Sequence, residues 1–297
     1  SRLDNKPKHI LYTVSGGKYD ANKKYPLFAH IALYDYEYWS KKFVEYTDSA
    51  VIFADIVGRG VNFGAYVGEA AILEQIEVLK RHFSIDENKV YLSGFCGAAG
   101  SALQMAQAYP HMFAGLLVYI PQQDFSLRMN LYNVDILAFY HAEEYVRGIP
   151  NSHVQQYYDE LPKLVQLPVK GITHNDFLSL TAKADTINYM LAKERCAYPK
   201  KLFYKTWIAR HRTAYWITLD NIQRGVKDAE IQAEVEGKAI QIHTVGTDGL
   251  KIQIPPYLQE YKDICVSING HKRVLAMEEL PTEIHVSISN AGWEMTT

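Results

Sequence analysis

Residues 90–100 have the sequence VYLSGFCGAAG, which places small residues on both sides of one nucleophilic side chain, Cys96. The apolar residues before Cys96 predict a strand, and those after it predict a helix over 97–108. Such a strand-to-helix turn is so tight that the positions two before and two after its central residue must be Gly or Ala, here Gly94 and Ala98. The pattern is typical of a nucleophile elbow.

The first two thirds of the chain alternate short apolar strands with amphipathic helices, which indicates a mostly parallel sheet covered on both faces. Strands are predicted at residues 9–14, 27–33, 50–56, 90–93, 115–120, 135–140 and 169–172. Helices are predicted at residues 36–47, 70–83, 97–108, 154–161 and 182–195.

From about residue 200 the pattern changes to strands separated by Gly, Asn, Asp and Pro. These strands are predicted at residues 202–207, 214–219, 230–235, 240–245, 250–254, 263–268 and 283–288. Evenly spaced strands of this kind favour a small all-β, sandwich-like domain. Trp207, Trp216 and Trp293 are predicted to lie in its core rather than to form a sugar-binding platform.

The composition is that of an ordinary globular protein of 297 residues, with 48% hydrophobic residues, 22% charged residues and a formal net charge of -2. Lys and Arg are scattered along the chain, so we expect no nucleic-acid partner. The sequence contains no apolar run near the roughly 20 residues that cross a bilayer, so we expect no membrane partner.

Three cysteines, Cys96, Cys196 and Cys265, are too few and too widely spaced for a disulfide framework or a zinc site. We therefore expect no metal, and a reducing, cytoplasmic compartment. The chain begins with Ser1 and ends at Thr297, so we expect it to be a piece of a longer protein with upstream domains.

Two other interpretations of the turn at Cys96 stay open. The residue could be a buried structural cysteine, since unpaired Cys is among the most buried residue types. Glycine-rich turns between a strand and a helix also bind nucleotide phosphates, but the sequence has neither a full GxGxxG motif nor a P-loop lysine, so no cofactor is expected. For a catalytic Cys96, the helix N-terminus would favour the thiolate.

Six short motifs carry a family resemblance: YPL at 25–27, GRG at 58–60, GE at 68–69, SID at 84–86, LSGFC at 92–96 and YPHMFA at 109–114. In order and spacing they resemble α/β-hydrolases of the polyhydroxybutyrate depolymerase, feruloyl esterase and prolyl-oligopeptidase-like group. The resemblance covers about residues 10–195 and implies an α/β-hydrolase catalytic domain at 1–199, followed by the β-rich domain at 200–297.

The chain departs from this group at two positions. Cys96 stands where the group has serine, and the His-Gly that the group has just after the strand ending here in Ala32-Leu33 is missing. The resemblance implies an enzyme of the esterase, thioesterase or acyltransferase type that acts on a small-molecule or carrier-bound acyl substrate through a thioester. A catalytically inactive binding or scaffold protein and a prolyl-oligopeptidase-like peptidase are the alternatives.

The resemblance also implies a catalytic triad in the chain order nucleophile, acid, histidine. Glu144 is expected as the acid, with Glu143 as the alternative, although both could simply be solvated loop residues. His174 is expected as the base, and His211 ranks below it.

Two donors are expected to form the oxyanion hole. The backbone amide of Gly97, the residue after the nucleophile, is one of them. The second is expected from the chain after the strand at 27–33, where Leu33 and Tyr34 are the candidates.

Overall fold

The computed structural model describes residues 10–32, 39–56, 66–121, 127–141, 145–146, 149–150, 160–171, 173–174, 183–278 and 280–296. The chain divides into two compact units. Unit 1 comprises Ser1–Gln107, Met112–Ser126 and Val134–Arg195, and unit 2 comprises Ala108–His111, Leu127–Asn133 and Cys196–Thr297. The predicted boundary at 199/200 differs from this division, because unit 2 also contains two short stretches from earlier in the chain.

Unit 1 contains a seven-stranded sheet with the order β1-β3-β2-β4-β5-β6-β9. Strand β1 is antiparallel to β3, and the other neighbouring strands are parallel. The strands of this sheet are β1 (Ile10–Val14), β2 (Tyr25–Ile31), β3 (Ile52–Ile56), β4 (Ile85–Phe95), β5 (Gly115–Tyr119), β6 (Asp135–His141) and β9 (Leu164–Val169). A two-stranded hairpin consists of β7 (Tyr145–Val146) and β8 (Ile149–Pro150).

The helices of the described part of the chain are α1 (Trp39–Phe43), α2 (Tyr66–His82), α3 (Gly97–Ala108) and α4 (Ala184–Leu191). Single 3-10 turns lie at Val44–Tyr46, Pro110–Met112, Arg128–Leu131 and Pro256–Leu258. No helix among the described residues is long and apolar enough to cross a bilayer.

The central strands are apolar along their whole length because both faces of the sheet are covered. Every residue of β3 and β5 is buried. On one face, Phe28, Phe53 and Tyr91 pack in one cluster with Phe43 of α1 and Met190 of α4. This packing explains why the apolar runs in the sequence predicted a mostly parallel sheet.

Among the elements predicted from the sequence, the helix over 97–108 agrees best with the structure. Helix α3 begins and ends at the predicted residues. The strand predicted at 169–172 is wrong, since β9 occupies Leu164–Val169. As an edge strand, β9 is partly exposed and accommodates Pro168, so it lacks the apolar run of a central strand. The helix predicted at 154–161 falls almost wholly outside the described residues.

Unit 2 contains two five-stranded sheets with the orders β10-β13-β14-β16-β17 and β11-β12-β15-β18-β19. The first consists of β10 (Lys201–Thr206), β13 (Ala229–Glu236), β14 (Ala239–Val245), β16 (Asp263–Ile268) and β17 (His271–Ala276). The second consists of β11 (Thr213–Ala214), β12 (Ile217–Leu219), β15 (Gly249–Gln253), β18 (Glu283–Ser289) and β19 (Gly292–Thr296).

Both sheets of unit 2 contribute to one apolar core. In β13 the buried Ile231 and Ala233 alternate with Gln232 and Glu234, as expected for strands with one face on a core. Trp216 and Trp293 are each 1% exposed, which confirms them as core residues, whereas Trp207 is 50% exposed and its prediction is wrong.

Sequence analysis missed β17 and β19, which are edge strands of the two sheets. Strand β17 has the sequence HKRVLA, and its residues are mostly exposed. A strand that buries so few side chains has no alternating pattern to detect.

The stretch Leu127–Asn133 joins unit 2 through side-chain amides. The Asn130 side chain, 2% exposed, donates to the Lys205 carbonyl (2.9 Å) and accepts from the Lys205 amide (2.8 Å). It therefore extends the backbone pairing of β10. Nearby, the half-buried Asn133 donates through its side-chain amide to the Lys201 carbonyl in an exposed hydrogen bond (2.8 Å).

Asn130→Ala should lower the free energy of unfolding by about 1–3 kcal/mol, because it removes two part-buried hydrogen bonds to the backbone of Lys205. Asn133→Ala, which removes one exposed hydrogen bond, should cost less than about 1 kcal/mol. Urea denaturation followed by tryptophan fluorescence measures both. Equal losses would contradict this role for Asn130.

Candidate active site

The turn between β4 and α3 is a strained backbone position. Cys96 has a φ of 54°, in the left-handed region that residues other than glycine rarely adopt. Its amide donates to the Tyr119 carbonyl of β5 (2.8 Å), and its carbonyl accepts from the Gly100 amide (3.2 Å) in the first turn of α3. Strain of this kind costs about 1–3 kcal/mol and concentrates at functional sites.

Gly94 explains why small residues flank Cys96. A Cβ on Gly94 would lie 2.5 Å from the carbonyl carbon and oxygen of Ala98 and 2.7 Å from the Ala99 nitrogen. These are backbone atoms, so no side-chain rotation could relieve the clash. Only glycine therefore allows α3 to begin directly after Cys96.

The turn lies at the carboxyl edge of the sheet, where its topology reverses. From β2 the chain continues to β3 on one side, whereas β4 is followed by β5, β6 and β9 on the other. Ligands of open α/β sheets bind at such switch points, beyond the carboxyl ends of the strands. Cys96 is the first residue after β4 and is half-buried.

His174 lies beside this turn. It is five residues beyond Val169, the end of β9, and is half-buried. Its ring centroid lies 5.0 Å from that of Phe95, the residue before Cys96, with an interplanar angle of 52°. The structure thus places an imidazole against the residue that precedes the cysteine.

Of the predicted oxyanion donors and triad acids, the structure describes only Gly97. Gly97 is the first residue of α3, where helix geometry leaves the amide without an intrahelical acceptor. Glu143, Glu144, Leu33 and Tyr34 lie outside the described residues.

For the two glutamates, the described structure fixes only the strand that precedes them in sequence. They follow His141, the last residue of β6, and β6 pairs in parallel with β5 and β9. The carboxyl ends of these strands share one edge of the sheet with the end of β4.

His211 belongs to unit 2. It is 8% exposed, and its ring packs edge-on against Tyr109 with the centroids 5.0 Å apart. The Tyr204 hydroxyl lies 2.8 Å from the His211 carbonyl oxygen. His211 is therefore packed among residues of that unit.

Residues at the end of β5, the strand beside β4, help to hold the turn at Cys96. Ile120 also has a positive φ, 51°, which is rare for a β-branched residue, and its amide donates to the Phe139 carbonyl (2.7 Å). The Tyr119 ring stacks on Phe139 with centroids 5.3 Å apart, and burial raises the pKa of its phenol. The acceptor for the Cys96 amide thus belongs to a buried, aromatic part of the sheet.

A row of buried polar residues crosses the sheet below this edge, and sequence analysis did not identify it. Asp55 of β3, His30 of β2 and Ser93 of β4 are paired side by side. His30 Nδ1 lies 3.1 Å from Ser93 Oγ, and burial lowers the pKa of His30 to about 3. The sequence does carry a signal for this row: His30 and Asp55 are polar residues within the apolar strands predicted at 27–33 and 50–56.

No protein-family model and no curated protein matches this chain. Among solved structures, it is similar to a thermostable esterase, with a TM-score of 0.51 and 15% identity over 63% of this chain and 59% of that one. It also matches the enterochelin esterase from Shigella flexneri (TM-score 0.49, 13% identity, 62% of this chain and 55% of that one). Thermogutta terrifontis esterase 2 gives a TM-score of 0.49 and 9% identity, over 64% of this chain and 89% of that one.

The similarity to the thermostable esterase agrees with an α/β-hydrolase-like fold for this chain. The chain spans 59% of the length of that esterase and 55% of the enterochelin esterase.

Gly94→Ala should destabilise the protein by about 2–4 kcal/mol, because the added Cβ meets the backbone of α3. A suitable control is Gly225→Ala, which has a φ of +86° but nothing within 4 Å of the added Cβ, and should cost about 1 kcal/mol. Chemical denaturation compares the two variants. A Gly94→Ala protein no less stable than the control would refute the close approach.

The buried His30 should make the protein less stable in acid. Its pKa is about 3 when folded and 6.5 ordinarily, so between these values the unfolded chain binds a proton that the folded chain excludes. Stability should fall as the pH drops through this window, by up to about 1.4 kcal/mol per pH unit.

Urea midpoints between pH 7.5 and pH 4 test this dependence. His30→Gln should flatten the curve, and His243→Gln, at an exposed position of β14, is the control for replacing a histidine. An unchanged slope in His30→Gln would show that other groups cause the acid sensitivity.

Proposed function

We propose that the protein is an acyl hydrolase or acyltransferase in which Cys96 attacks an ester or thioester and forms a covalent thioester. The observation that carries this proposal is the left-handed conformation of Cys96 at a strand-to-helix turn, with the His174 ring packed against the preceding residue. Covalent catalysis needs a nucleophile activated by a nearby base, and backbone strain is often found at such functional residues.

In the proposed first step, His174 takes the thiol proton of Cys96, and the sulfur attacks the substrate carbonyl carbon. The negative charge that develops on the carbonyl oxygen is stabilised by the Gly97 amide and by a second donor from Leu33 or Tyr34. The bond to the leaving alcohol or thiol then breaks, and the leaving group receives this proton from His174.

In the second step, His174 takes a proton from water or another acceptor, which attacks the thioester carbonyl. The carbonyl–sulfur bond breaks, and the acyl product leaves while Cys96 recovers its proton. Glu144, or Glu143 in its place, would hold the imidazole in the orientation that both steps need.

The thiolate favours activated acyl groups. The macrodipole of α3, a helix of 12 residues, would stabilise a negative charge on the Cys96 sulfur at its N-terminus. An amide needs strong protonation of its leaving nitrogen, whereas an ester or thioester does not. We therefore propose a small-molecule or carrier-bound ester or thioester as the substrate, and a peptide substrate ranks below it.

A binding or scaffold protein that keeps the fold without the chemistry is the second candidate. The absence of His-Gly just after the strand that ends in Ala32-Leu33, where the hydrolases that this chain resembles have it, favours this candidate. In that case, Cys96 should react with iodoacetamide no faster than the exposed Cys196. Faster alkylation of the half-buried Cys96 near neutral pH would exclude this candidate.

Cys96→Ala and His174→Gln should each reduce turnover of an activated ester and an activated thioester by at least about a thousandfold. The reason is that one variant lacks the nucleophile and the other lacks its base. Cys265→Ala, which removes a half-buried thiol in unit 2, is the matched control and should keep wild-type rates. Turnover by Cys96→Ala at the wild-type rate would remove the proposed function.

A further inference from the structure

Phe95, the last residue of β4, contacts both the core of unit 1 and His174. It is half-buried and packs against the apolar cluster that contains Phe28, Phe53 and Tyr91. Its ring centroid lies 5.0 Å from that of His174, with the two ring planes tilted by 52°. This separation is within the range in which aromatic rings attract each other.

The backbone around Phe95 is held from three directions. Gly94, before it, leaves no room for a Cβ against the backbone of α3. The Cys96 amide, after it, donates to the Tyr119 carbonyl (2.8 Å), and Phe95 itself pairs in parallel with Tyr119. Tyr119 in turn pairs with Phe139 and stacks on its ring. Phe95 is therefore a rigid support at the carboxyl edge of the sheet.

His174 lies on an exposed stretch beyond β9. Val169, the end of that strand, packs against the same apolar cluster as Phe95. Beyond it, Lys170 and Thr173 are exposed. A functional side chain on a loop is less precisely placed than one on a strand or helix, unless packing fixes its orientation. The contact with Phe95 supplies such packing to the imidazole.

The proposed reaction makes a strict demand on this imidazole. It must take the thiol proton of Cys96 and then give it to the leaving group, so its nitrogen has to stay within hydrogen-bonding reach of both. A misplacement of about 1 Å can cost about a hundredfold in rate. Because Phe95 and Cys96 are consecutive residues, a ring packed on Phe95 keeps its place relative to the turn that carries the sulfur.

We propose that Phe95 is a positioning residue that holds the His174 imidazole in place for both proton transfers. This inference rests on the proposed function. An aliphatic side chain at position 95 would fill the space without offering a flat face, so the imidazole could turn away from the sulfur and from the leaving group.

The test compares Phe95→Leu, which removes the ring, with Phe95→Tyr, which keeps it, on a nitrophenyl ester and an ethyl ester of the same acid. An ethoxide leaving group needs a proton from His174, whereas a nitrophenolate does not. Phe95→Leu should therefore lower kcat/KM about tenfold on the nitrophenyl ester and about a hundredfold on the ethyl ester, with KM within about threefold. Phe95→Tyr should stay within about threefold of the wild type on both esters.

Two other variants serve as controls. Phe53→Leu removes a ring from the same apolar cluster, at a fully buried position of β3, and should keep the wild-type ratio between the two esters. Phe95→Met replaces the ring with a flexible apolar chain and gives the same comparison if Phe95→Leu does not fold.

The imidazole signal of His174 gives a readout that does not depend on turnover. In protein with isotope-labelled histidine, the Cε1–H signal that is missing from His174→Gln belongs to His174. In Phe95→Leu this signal should move towards that of the exposed His243, because the ring current of Phe95 is lost. Phe95→Tyr and Phe53→Leu should leave it in place.

Equal losses on the two esters, or wild-type kcat/KM in Phe95→Leu, would overturn the proposal. So would an unmoved His174 signal in that variant, or a Phe95→Tyr protein as slow as Phe95→Leu. Failure of the proposed function would instead appear as full turnover in Cys96→Ala, and the His174 signal would still decide whether Phe95 holds the imidazole.

Discussion

The close approach of Gly94 to the backbone of Ala98 is the constraint on which the site depends. With no Cβ at Gly94, α3 can begin immediately beyond β4, and the residue between them is left in the left-handed region. That residue is Cys96. Its strained conformation is held by a hydrogen bond to the adjacent strand, so the surrounding sheet offsets the local cost.

Because the sheet is parallel, the turn at Cys96 lies at the same edge as the ends of the neighbouring strands. The strands β4, β6 and β9 end on the same side of the sheet, so the described residues just beyond β4 and β9 lie near one another although they are far apart in sequence. His174 reaches Phe95 in this way. Below the edge, the buried row of Asp55, His30 and Ser93 links the strands on either side of the topological switch point.

The parts of the structure that local physics determines were predictable from the sequence. The small residues around Cys96 predicted the turn and the start of α3, because a Cβ at Gly94 would clash with the backbone of that helix. Edge strands were harder, and β9 was misplaced while β17 was missed, since neither has the apolar pattern of a central strand. The pairing of Asp55, His30 and Ser93 depends on strand register, which no local pattern in a parallel sheet reveals.

The central claim is that Cys96 carries the acyl group during the reaction. The most direct measurement is peptide mass spectrometry after incubation with an activated acyl ester whose enzyme adduct hydrolyses slowly. The account predicts one acyl group per chain, attached to the peptide that contains Cys96, and only background labelling of Cys196 and Cys265. Labelling that follows exposure, with the exposed Cys196 modified first and Cys96 unmodified, would contradict it.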